Sequence, residues 1–164
     1  MKYYRYTLEF LTILLLAFLT ISSPAVGQQA SDSVALTGYD PVAYFEQGRP
    51  MKGLKEQHVT YEGATYLFYS EENKALFEQN PDQYLPAFDG WCAFAVAKKS
   101  ARKLPDPRIW KIQDGRLLLF SNASHTHVDD SYAKAWNKKP EQNLFDADYY
   151  WMIMNLPAVV TTGE

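Results

Sequence analysis

Four side chains carry most of the metal or thiol chemistry open to this sequence: Cys92, in the stretch DGWCAFAVAKK, and the three histidines His58, His125 and His127. A thiolate with an imidazole makes a soft site for a transition metal. Cys92 alone is also open to oxidation or mixed-disulfide formation, or it is simply a small buried hydrophobe, as free cysteines commonly are. Its neighbours Trp91, Ala93, Phe94 and Ala95 favour burial, and no cation adjoins it in sequence to activate the thiol. His125 and His127 form His-x-His, which chelates from a strand but splays apart on a helix. They stand at an expected helix start, which favours a solvated turn. His58 lies on an expected strand and reaches Cys92 only if the two strands are neighbours.

Other chemistries find little support. The chain has no Gly-rich phosphate loop and no Gly-x-Ser-x-Gly turn. The acidic pairs Asp129/Asp130 and Asp146/Asp148 suit solvated helix ends. A net charge of −3 lacks the basic footprint of nucleic-acid binding. The one basic run, Lys98, Lys99, Arg102 and Lys103, reads as a solvated loop.

The N-terminus has the anatomy of a secretory signal peptide: Lys2 and Arg5, an apolar run from Phe10 to Ile21, and Ala25-Val26-Gly27 before the cleavage point. Residues 1–27 are expected to be removed and the protein to be periplasmic or secreted, with no stable membrane insertion afterwards. An uncleaved anchor is the alternative. A single cysteine forbids an internal disulfide, so packing must stabilise the fold; 12 Tyr, 9 Phe and 4 Trp supply the bulk for it.

The elements that must position these residues follow from turn and cap signals. Residues 28–35 are small and polar, a flexible lead-in. Asp40-Pro41 is a helix-start signal. Residues 57–61 and 64–69 are β-prone and flank Glu62-Gly63, a two-residue hairpin turn. Ser70 is placed to cap a helix that carries Ala75, Leu76 and Phe77 and stops at Asn80-Pro81, with one further turn to Tyr84. Trp91 to Ala97 reads as a strand with Cys92, Phe94 and Val96 on one face. Residues 109–112 and 116–120 form a second hairpin around Gln113-Asp114-Gly115. Helical signals dominate from about Ser124, first through Tyr132, Ala135 and Trp136, then from about Gln142 to Met152. No internal repeat or second-domain boundary is visible. The expected fold is a small α+β domain: one antiparallel sheet from two hairpins plus the Cys92-bearing strand, with helices packed on one side.

Taken together, GYDPVAYF at 38–45, YEGATYLFYSEENKALFEQNPDQYLP at 61–86, GWCAFAVA at 90–97 and DGRLLLF at 114–120 resemble the YHS-domain family, its exported bacterial branch in particular. The resemblance covers roughly residues 34–157, and gives a domain at 36–157 with a tail at 158–164. It implies transition-metal binding or handling, copper or zinc first. Metal-type members carry a cysteine after Asp-Pro-Val and two more around the helix start; the matching residues here are Ala43, Tyr69 and Asn73. The leading expectation is an exported, non-enzymatic module with a metal site involving Cys92 and a histidine. The alternative is a metal-free domain that binds a small molecule or protein in an aromatic pocket of Tyr39, Tyr44, Tyr66, Tyr69 and Trp91. An enzyme ranks third, and no particular protein partner is implied.

Overall fold

The computed structural model describes residues 33–98 and 102–156. The expected signal peptide at 1–27, most of the lead-in and the tail at 158–164 lie outside the described residues. No described helix is long and apolar enough to cross a membrane.

The class is α+β, built from two small antiparallel sheets and several helices. A left-handed turn at Ala35–Gly38 leads to a single helical turn, α1 (Ala43–Glu46). Hairpin β1 (Leu54–Tyr61)/β2 (Ala64–Phe68) follows, then α2 (Glu71–Gln79) and α3 (Pro81–Tyr84). A second left-handed turn at Ala87–Gly90 leads to α4 (Ala93–Ala97). Hairpin β3 (Asp106–Gln113)/β4 (Arg116–Phe120) and helices α5 (Ser131–Trp136) and α6 (Pro140–Met154) complete the chain.

The hairpins form because their turns carry residues that tolerate positive φ. Glu62 and Gly63 sit at φ 48° and 79°, Asp114 and Gly115 at 51° and 73°, the double-positive pattern whose twist matches paired strands. Ser70 caps α2 by accepting the Asn73 N–H at 3.2 Å. Pro140 opens α6 as well as closing the preceding helical signal, because a missing N–H costs nothing at the first helical position.

Two expectations are corrected. The hairpins make two separate two-stranded sheets, not one. Trp91 to Ala97 is not a strand: Cys92 makes one isolated bridge to Leu119, and α4 begins at the next residue. A short run of Ala, Phe and Val fits a buried strand and a buried helix equally well, and periodicity cannot separate them. Gly53 packs where a Cβ would lie 2.4 Å from the Leu67 carbonyl carbon, so only glycine lets β1 enter beside β2.

The core falls into linked clusters. Val42, Phe68, Phe77 and Tyr84 fill the first hairpin-helix unit. Cys92, Val96, Leu118, Phe120, Trp136 and Ala147 fill the second. Tyr44 bridges them, packing with Leu117 and Leu119 and donating its hydroxyl to the Pro107 carbonyl at 2.8 Å.

Candidate functional site

Asp40 is the most connected polar side chain of the first unit, and it is fully buried. Its Oδ1 accepts the N–H groups of Val42 at 2.8 Å and Ala43 at 3.2 Å. Its Oδ2 accepts the Tyr69 N–H at 2.8 Å and the Asn73 amide at 2.6 Å. One carboxylate thus ties α1, the end of β2 and the start of α2 together with charge-assisted bonds. Asn73 is held in turn by Gln47, donating to it at 3.0 Å and accepting from it at 3.3 Å.

The three positions at which the resemblance places cysteines, Ala43, Tyr69 and Asn73, are three of the four residues bonded to this carboxylate. They offer a methyl group, a phenol on a half-exposed side chain and an amide, and four N–H donors already occupy the Asp40 oxygens. This donor set does not fit a soft-metal centre. The sequence reading took Asp40 only as a local cap. Its partners at residues 69 and 73 lie too far along the chain for a local signal to show.

Cys92 is fully buried within the second core cluster. Its Sγ accepts the Ser121 N–H at 3.2 Å, and its own N–H donates to the Lys103 carbonyl at 3.0 Å. The histidines are all exposed. His58 stands on β1, which pairs with β2, whereas Cys92 bridges to β4, so they belong to different sheets. His125 and His127 fall in an irregular loop before α5, not at a helix start; the His127 Nδ1 lies 3.0 Å from the Ser124 Oγ. Among the described residues, no three His, Cys, Asp or Glu side chains converge to hold a metal ion.

A cleft of about 580 Å³ opens between β2, the two left-handed turns and the segment entering β3. Val34, Leu36, Tyr66 and Leu85 form one part of its wall, and Pro86, Trp91, Pro105 and Pro107 another. The volume falls in the range spanned by small-molecule pockets, and most of the lining is apolar. Among the described residues, Glu62 and Asp89 are its charged residues, and no basic side chain lines it. Burial first, then the charges of Glu62 and Asp89, push the Tyr66 phenol up to about 12. Leu36, Thr37 and Asp89 hold φ near +50° in this lining, a costly conformation that recurs at binding sites. Of the five aromatic residues expected to form a pocket, Tyr66 and Trp91 line the cleft. Tyr44 is core, Tyr39 packs under the Lys52 ammonium, and Tyr69 is exposed.

Residues 42–88 match the family model of the YHS domain. Comparison with curated proteins and with solved structures gives no match.

Proposed function

We propose, from the YHS-domain match at residues 42–88, that the protein is an exported, non-enzymatic binding module whose ligand is a small organic cation held in the cleft. The observation that carries this reading is the lining itself: among the described residues, Tyr66 and Trp91 with two carboxylates and no basic group. An aromatic face attracts a cation through its quadrupole, and nearby carboxylates add to that attraction. A ligand with an aromatic ring and one ammonium group matches both features.

Titration of tryptophan fluorescence with phenethylamine tests it, with phenylethanol as the neutral control. The amine should quench saturably, and Trp91→Ala should abolish the effect. Asp89→Asn should weaken binding by about 3- to 30-fold, the worth of one well-placed charge contact. Equal binding of amine and alcohol would reject the cationic ligand. Absence of saturation below about 10 mM would reject the site.

The YHS match favours a second reading, because such a domain is suggestive of metal handling. Here copper or zinc would be held by Cys92 with His58, His125 or His127. Metal analysis of the purified mature protein separates the two readings: the cleft reading expects no stoichiometric metal, and the second expects one equivalent that Cys92→Ser removes. Export is tested by the mature N-terminus, expected at Gln28 by mass spectrometry; an intact Met1 in the membrane fraction would replace it with an anchor.

A further inference from the structure

We infer that residues 86–154 are a second, divergent copy of the unit formed by residues 34–85, joined in tandem, and that Cys92 occupies the place of Asp40. Up to Asn122 the geometry repeats at a constant separation of 52 residues. The left-handed turns correspond residue for residue: Leu36, Thr37 and Gly38 at φ 52°, 49° and 82°, against Phe88, Asp89 and Gly90 at 59°, 49° and 77°. Each is closed by the same bond, Tyr39 N–H to Leu36 O and Trp91 N–H to Phe88 O. The hairpins pair in one register with one irregularity. Leu54 opposite Phe68 and His58 opposite Leu67 become Asp106 opposite Phe120 and Trp110 opposite Leu119. One isolated parallel bridge in each also matches, Val34 to Thr65 and Pro86 to Leu117, whereas the Cys92 bridge to Leu119 belongs to the second copy alone among the described residues.

The anchors behave alike. The Asp40 N–H donates to Met51 O as the Cys92 N–H donates to Lys103 O. The Asp40 side chain accepts from Tyr69 N–H as the Cys92 sulfur accepts from Ser121 N–H. Beyond Asn122 the separation grows to 59, and the correspondence resumes. Phe77 against Phe68 becomes Trp136 against Phe120, with centroids 5.1 and 5.6 Å apart. Asn80 and Lys139 share φ −150° before Pro81 and Pro140. Tyr84 bonds Glu46, and Asn143 bonds Lys98. The extra residues fall in the loop that carries His125 and His127, which therefore has no counterpart in the first copy.

This agreement overturns the sequence reading that saw no repeat. Between 34–70 and 86–122 the only identical pairs are Ala35/Ala87, Gly38/Gly90, Ala43/Ala95, Gly63/Gly115, Leu67/Leu119 and Phe68/Phe120. Most of these are small residues or fully buried ones, which shared backbone and packing demand. The family match, at 42–88, falls almost wholly on the first copy.

Exchange of the two anchors tests the inference. A carboxylate placed at a fully buried site without a matching cradle should be far worse than an apolar residue. If position 92 is built like position 40, the amides of Phe94, Ala95 and Ser121 receive the new carboxylate, and Cys92→Asp melts at or above the temperature of Cys92→Leu. A lower melting temperature for Cys92→Asp than for Cys92→Leu would overturn the inference. Should both position-92 variants fail to fold, the mirror pair decides. Asp40→Cys, able to accept the Tyr69 N–H through sulfur, should melt above Asp40→Leu, and equal or lower melting would overturn the inference.

Discussion

The hairpin-helix unit around Asp40 and the one around Cys92 share a backbone and differ in the chemistry at its centre. In the first, a buried carboxylate satisfies four N–H donors and is braced through Asn73 and Gln47. In the second, a thiol accepts one amide and is otherwise surrounded by Val96, Leu118, Phe120 and other apolar side chains. The same turn, bridge and hairpin register can therefore be held by a polar network or by apolar packing. The two differ in how much is lost when the anchor is removed.

The largest effect is expected for Asp40→Ala. It strands several buried donors at about 1–3 kcal/mol each, so a loss of about 4 kcal/mol or more is expected in urea unfolding. A loss under about 1 kcal/mol would show that water replaces the carboxylate freely. Truncation of Phe77 or Trp136 to Ala should cost about 3–5 kcal/mol in each unit, since both side chains are fully buried. Costs that differ severalfold between them would break the equivalence of the two cores.

Cys92→Ser should cost only about 1 kcal/mol, because the hydroxyl keeps the Ser121 N–H as a partner while losing apolar contact. Gly63→Val and Gly115→Val should each cost about 1–2 kcal/mol. A Cβ at either position meets nothing within 4 Å, so backbone strain at φ 79° and 73° is the main cost. The two values should agree.

The smallest effect concerns pH. Hydrogen bonds from Arg108 hold the Asp106 carboxyl below its ordinary range. The stability this lends is present above the ordinary carboxyl pKa and is lost as pH falls through the lowered folded value. Asp106 is partly exposed, so solvent screens the pair. Asp106→Asn should lower the melting temperature slightly at neutral pH and leave a shallower decline below about pH 4. An unchanged acid limb would remove Asp106 from the account.

Features set by local chemistry were legible in the sequence. Glu62-Gly63 and Asp114-Gly115 announced both hairpins, because few residue pairs tolerate two positive φ angles in succession. Ser70 announced α2 by its capping oxygen. The Trp91–Ala97 run misled, since small apolar residues carry no information about which buried element they join. The Asp40 hub was legible only as a cap, because Tyr69 and Asn73 enter it through long-range folding. The repeat stayed hidden because the duplicated positions constrain backbone angles and burial while leaving side-chain identity free, and because the loop of His125 and His127 shifts the separation midway. Of the residues singled out for the cleft, Tyr66 and Trp91 were found by their aromaticity. Glu62 was read as a turn residue, and Asp89 gave no signal apart from the tertiary fold.

Thiol reactivity with and without a chelator tests most directly whether Cys92 is a buried anchor. Reaction of the native protein with a disulfide reagent should be negligible, become complete in denaturant, and proceed at the same rate after chelator treatment, because packing alone excludes the reagent. A thiol that reacts only after chelation, with release of stoichiometric copper or zinc, would contradict the account and assign Cys92 to a metal.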